Sequence, residues 1–171
     1  MKPILAIDPG LYGAVAAYDG NKLAVYDMPI IETNKKTVLD LEKLWGLMLV
    51  LTHISRDVVI ESVHNMPNQG RTSIFSFGRT CGATDMAVIA AGATLHLVTP
   101  QQWKFGVGLN AVPGQDRKER KNASRAKAIE LFPEYADLFA RVKDDGRAEA
   151  ALMAWWFVHK KPNSISIRST T

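Results

Sequence analysis

The stretch "ILAIDPGLYGAVAAY", residues 4–18, carries the pattern that decides the fold. Four apolar residues, Ile4–Ile7, run into a bare carboxylate, Asp8, followed at once by Pro9 and Gly10. A short apolar run closed by turn residues reads as a buried strand. Residues 13–18 read as a second strand, and the Asp19-Gly20 hairpin signal leads into a third over residues 22–27. A carboxylate at the end of a buried strand is costly to desolvate unless something pairs with it. Asp8 is therefore either a turn residue or half of a metal site.

Further along, Val38, Leu41, Leu44, Trp45 and Met48 recur with a helical period, which predicts a helix over residues 37–51. "DVVIE" then reads as a strand ending on Glu61, before the loop "SVHNMPNQGRT". A second helix is expected over 73–91, rich in small residues, and "TLHLV" is another strand. Thr99-Pro100 opens a short helix, and residues 106–121, with their "DRKERK" run, read as a loop. "NASRAKAIELF" and residues 146–159 are the last helices. This order describes an α/β fold with a mixed central sheet flanked by helices. The expected organisation is one domain over residues 1–160 and a flexible polar tail over 161–171.

Composition narrows the function. The chain has 171 residues, 47% of them apolar, enough for a buried core. Cys81 is the single cysteine, which rules out an intramolecular disulfide and a cysteine-built zinc site. The first apolar run is too short for a signal peptide or a membrane span, so a cytoplasmic setting without membrane contact is expected. The net charge of +4 is unevenly spread. Between Thr99 and Lys127 stand Lys104, Arg117, Lys118, Arg120, Lys121, Arg125 and Lys127, opposed only by Asp116 and Glu119. Such a segment is either a solvated face or a surface for a polyanion.

Against this positive segment stand acids spread along the chain. Asp8 and Glu61 each end a strand, and strand ends of an open α/β sheet share an edge where ligands bind. Asp145 and Glu149 are spaced i, i+4 and project from one face of the last helix. Helix-dipole preference also explains acids there, but the capping position three residues before Glu149 is Gly146, so a capping box does not. Converging carboxylates without a Cys or His cluster suit a hard, oxygen-seeking cation such as Mg²⁺, with Mn²⁺ able to substitute. Two such ions about 4 Å apart clamp the attacking and leaving oxygens of a phosphodiester.

Taken in order, "IDPGLYGAVA", "VVIESVH", "TPQQWK" and "KDDGRAEAALMA" resemble the RuvC-type Holliday junction resolvases, specifically the divergent branch of bacteriophages and prophages. The resemblance spans roughly residues 3–159. It implies a ribonuclease H-like fold, a homodimer, and metal-dependent hydrolysis that nicks paired strands of four-way and other branched DNA. It also implies catalytic and metal-ligating roles for Asp8, Glu61, Asp145 and Glu149, with two ions per site. Three residues separate Asp145 from Glu149 where relatives have two, so adjacent Asp144 is an alternative to Asp145. By the same resemblance Arg71, Arg79, Lys104, Arg117, Lys118, Arg120 and Lys121 contact DNA phosphates. His64 stands where relatives carry an aromatic wedge, and is either a base-stacking residue or a solvated loop histidine. A dimer seam or ordinary sheet packing would each use the small-residue face of the second helix. Competing functions are a non-catalytic junction binder and an RNA-processing nuclease of the same fold. An actin-like ATPase would need a second lobe, so no nucleotide cofactor is expected.

Overall fold

The computed structural model describes residues 2–33, 36–62, 70–110 and 113–160, together with the backbone of 165–167. His64 lies outside the described residues. Strands β1 (Ile4–Ile7), β2 (Ala14–Tyr18) and β3 (Leu23–Asp27) form an antiparallel meander. The β2–β3 turn closes because Asp19 Oδ1 accepts hydrogen bonds from the Asn21 and Lys22 amides at 2.9 and 2.7 Å, and Gly20 supplies the positive φ of 96°. Strands β6 (Asp57–Glu61) and β7 (Thr94–Val98) then add in parallel, and β8 (Ile165–Ile167) closes the sheet, giving the order β3-β2-β1-β6-β7-β8.

The two-residue side-chain period divides this sheet between two cores. Leu5, Ile7, Val58 and Ile60 face helices α1 (Leu41–Leu51) and α2 (Arg71–Ala90). Ile4, Ala6, Ala14, Ala16 and Val59 face α5 (Asp145–Lys160), backed by α3 (Pro100–Gly106) and α4 (Arg117–Leu131). Strands buried on both faces explain why β1 and β6 read as continuous apolar runs rather than alternating ones. Helix α5 is buried along most of its length, and Ala148, Ala150, Ala151 and Ala154 bring it close to the alanines of the sheet. At its foot Arg147 forks onto Asp27 of β3, with both hydrogen bonds at 2.5 Å.

Three segments differ from the sequence reading. Residues 37–51 are not one helix: Thr37–Leu39 forms β5, paired with β4 (Ile30–Glu32), and α1 starts only after the Asp40 cap, whose Oδ1 accepts from the Lys43 amide at 3.0 Å. β-branched Thr37 and Val38 favour the strand, and the cap ends it. The "DRKERK" run is helical rather than a loop, because Asp116 and Glu119 form a reciprocal capping box at the start of α4. Within the expected tail, Ile165–Ile167 forms β8, which satisfies the otherwise open backbone edge of β7. No helix among the described residues is long and apolar enough to cross a membrane.

Two glycines set the distance between α5 and the sheet. A Cβ on Gly146 would lie 2.4 Å from the Tyr12 carbonyl oxygen and 2.7 Å from the Gly13 Cα, and one on Gly13 would lie 2.1 Å from the Asp8 carbonyl oxygen. Each contact is with backbone, which cannot swing aside. Gly146→Ala is therefore expected to cost about 3 kcal/mol, the upper range of overpacking, in urea denaturation. Gly46→Ala, whose new Cβ meets nothing on exposed α1, is expected to gain up to about 1 kcal/mol.

Candidate functional site

Parallel pairing of β1 with β6 sets Ile7 beside Ile60, so the next residues, Asp8 and Glu61, emerge side by side at the carboxyl edge of the sheet. Asp8 is also the turn residue its neighbours suggest. Its amide donates to the Ala14 carbonyl at 3.0 Å, and its Oδ1 receives the Gly10 amide at 3.4 Å. The Gly146 contact with the Tyr12–Gly13 backbone brings the start of α5 to this edge, and with it Asp145 and Glu149. Gly13 is thus used for packing within the protein.

Electrostatics show that the four carboxylates share one neighbourhood. The Asp8 carboxyl is pushed up from 3.8 to about 8, first by burial, then by Glu149 and Glu61, with Asp145 adding to the repulsion. Burial and then Glu149 also raise Glu61, which the Trp103 hydrogen bond and the Lys104 charge partly offset. Asp144 has a different role. Burial raises its carboxyl, but Arg141 outweighs that and holds it below the usual range, donating from its amide at 2.8 Å and from its guanidinium at 2.8–3.2 Å. At 1% exposure, Asp144 is a structural anchor for the entry into α5, and Asp145 is the member of the pair that faces the cluster.

Each cluster carboxylate has a protein partner. Trp103 Nε1, fully buried, donates to Glu61 Oε1 at 2.8 Å. Glu149 Oε1 receives both Lys104 Nζ and Ser124 Oγ at 3.0 Å. Lys121 forms an ion pair with Asp145. Among the described residues no three His, Cys, Asp or Glu side chains stand as a ready-made metal cage. The donor set itself consists of hard carboxylate oxygens that repel one another, which suits Mg²⁺ or Mn²⁺ and not a thiophilic metal. Cys81 borders the site from α2, and burial with Asp85, Asp8 and Glu61 pushes its thiol up to about 11, so it stays protonated.

The basic residues divide in two. Lys104 and Lys121, expected on DNA phosphates, are paired here with Glu149 and Asp145, and Lys104 Nζ also lies 5.0 Å over the Trp103 ring. Arg117, Lys118 and Arg120 are exposed on the first turn of α4, while Arg71 and Arg79 are exposed on α2. Arg117, Lys121 and Ser124 lie at i, i+4 and i+7, so one face of α4 leads from open solvent to the carboxylates. Trp103 and Ser124 were missed from the sequence. Their partners lie 42 and 25 residues away, and no local spacing announces either hydrogen bond.

No family model matches the sequence, and no curated protein matches it. Solved structures do match the fold. Thermus thermophilus RuvC in complex with a Holliday junction substrate aligns with a TM-score of 0.65 at 14% identity, covering 98% of this chain and 100% of that one. A second T. thermophilus RuvC structure aligns with a TM-score of 0.52 at 17% identity, covering 96% and 99%. The chain therefore has the ribonuclease H-like fold of RuvC over almost its whole length.

The raised Asp8 carboxyl links stability to pH. Its contribution is fully present below pH 3.8, the unfolded value, and is lost as pH rises through about 8. In a chelating buffer Asp8→Asn is expected to melt above the parent chain at about pH 9, with the gap closing near about pH 4. Identical melting curves at both pH values would show that the Asp8 carboxyl is not raised in the folded chain.

Proposed function

We propose that the chain is a divalent-metal-dependent endonuclease that resolves four-way DNA junctions, and nicks other branched DNA, by hydrolysing paired phosphodiesters. The observation that carries this reading is the meeting of Asp8, Glu61, Asp145 and Glu149 at the β1–β6 edge of a RuvC fold, beside the cationic face of α4. Asp8, central to the electrostatic cluster, would hold the ions together with Glu61, Asp145 and Glu149. Bound there, Mg²⁺ or Mn²⁺ would activate the attacking water and stabilise the leaving oxygen of the phosphodiester.

The chain's own residues would do the rest. Trp103 keeps the Glu61 carboxylate aimed at the site, and Ser124 does the same for Glu149. Arg117, Lys118, Arg120 and Lys121 begin α4, where basic side chains oppose the helix dipole. That placement costs stability in the free protein and is explained by attraction for phosphate, which the helix N-terminus reinforces. With Lys104, Arg71 and Arg79 they would hold the DNA backbone without reading its sequence. His64, three residues beyond Glu61, is retained as a candidate for stacking on an unpaired base.

A homodimer fits the outer face of α2. Phe75 is 70% exposed and Met86 60%, and between them Gly78 and Gly82 have open space above their backbone. These four positions fall on one helical stripe, and a second copy would bury it. Two sites facing opposite ways would give the paired nicks. The setting proposed is the cytoplasm of a bacterium or of a phage-infected host.

The test is cleavage of labelled four-way junction, Y-fork, linear duplex and RNA–DNA hybrid, in Mg²⁺ and in EDTA. Symmetric nicks in branched DNA are expected with Mg²⁺ alone, and Asp8→Asn should lose at least about 100-fold in rate while still binding the junction. Cleavage by that variant at the parent rate would refute the assignment. Preference for the RNA–DNA hybrid would favour an RNA-processing role, and junction binding without cleavage a non-catalytic one. If six or more of the named basic residues meet phosphates, junction affinity measured by anisotropy should fall by roughly 10³ or more between about 50 and 200 mM salt.

A further inference from the structure

Two kinds of ion pair stand around the start of α5. Asp144 and Asp27, which hold elements together, are bound by the arginine forks of Arg141 and Arg147. Asp145 and Glu149, in the cluster, are bound by single lysine ammonium groups that reach in from two other helices, Lys121 from α4 and Lys104 from α3. Arginine forks are planar, bidentate and rigid, whereas an ammonium on a flexible four-carbon stem is a point charge with rotatable donors. The bidentate forks on Asp144 and Asp27 resist displacement more than the single ammonium groups on Asp145 and Glu149.

Resting on the metal-site reading above, we infer that Lys104 and Lys121 are exchangeable counter-ions of the cluster. Each leaves its carboxylate when a divalent cation binds there and takes a DNA phosphate in its place. The geometry favours such movement. Glu149 Oε1 already accepts from Lys104 Nζ and Ser124 Oγ at 3.0 Å, so a cation on that oxygen would displace the ammonium, and one on the other oxygen of the carboxylate would repel it. Both lysines are only partly buried, 32% and 39% exposed, against 18% and 19% for their carboxylates, so the amine ends have solvent to move into. A phosphate drawn to the cations offers the freed ammonium a new anion. Metal and DNA then assist each other's binding, and by linkage each raises the other's affinity by the same factor.

The experiment uses Lys104→Met and Lys121→Met, which keep the apolar stem, with Lys104→Gln and Lys121→Gln as second variants that keep a polar head. Exposed Lys22→Met, in the β2–β3 turn at the opposite edge of the sheet from Asp8, matches the change in net charge away from the cluster. Binding of Mn²⁺ without DNA is read by electron paramagnetic resonance. Junction affinity is read by anisotropy in Ca²⁺ and in EDTA. Each cluster-lysine variant is expected to bind Mn²⁺ about fivefold tighter than the parent, and Lys22→Met to match the parent. The ratio of junction affinities with and without cation should be about fivefold smaller in the double lysine variant than in the parent, what remains being the cations' own attraction for phosphate. A lysine that only contacts phosphate would lower both junction affinities and leave that ratio alone. Mn²⁺ binding that is lost in Asp8→Asn yet indifferent to both lysines overturns the exchange and leaves the metal site standing. Absence of any Asp8-dependent Mn²⁺ binding overturns both.

Discussion

The backbone of α5 touches the backbone of the β1–β2 turn at Gly146 and Gly13, with no side chain between them. That contact sets where the last helix meets the sheet, and therefore where Asp145 and Glu149 stand relative to Asp8 and Glu61. A single methyl group at either glycine would push the helix outward, and the i, i+4 acids would move with it. The alanines along both the helix and the sheet continue the same close approach upward. Rigid, near-featureless packing below thus positions polar chemistry above.

That chemistry is expensive for the fold to hold. Four carboxylates at one edge repel, and Asp8 bears most of the strain, since burial and three neighbours all act against its charge. The protein offsets the repulsion with donors drawn from separate elements, an indole from α3, a hydroxyl from α4 and an ammonium from each. Asp144 and Asp27 are held by arginine partners and serve as buried or edge anchors. A site that retains mutual repulsion and satisfies it with replaceable cations is consistent with a binding role for a stronger cation. The cationic start of α4 follows the same logic, because a helix that places basic groups on its own positive end is destabilised unless an anion joins it.

Parts of this arrangement were readable residue by residue. Ile4–Ile7 and "DVVIE" announce buried strands because both of their faces are covered, and a carboxylate ending each one marks a common edge. The Asp116-x-x-Glu119 spacing was equally present in the chain, yet the density of charge around it reads as loop, and the capping box prevailed. At residues 37–40 a helical apolar period coincided with a β-branched pair and a capping aspartate, and local chemistry outweighed the period.

Legible in the chain were β1–β3, β6, β7 and the main helices, the strand-end positions of Asp8 and Glu61, the shared helical face of Asp145 and Glu149, and the concentration of positive charge between Thr99 and Lys127. All of these depend on neighbours within a few residues. Tertiary structure alone decided that Asp145 faces the cluster while Asp144 is locked to Arg141, that Trp103 and Ser124 orient the acids, and that Lys104 and Lys121 sit on carboxylates. Those outcomes turn on the helix rotation set at Gly146 and on partners brought together through space. Short-range patterns in a chain encode which groups are available, and only packing distances determine which of them meet.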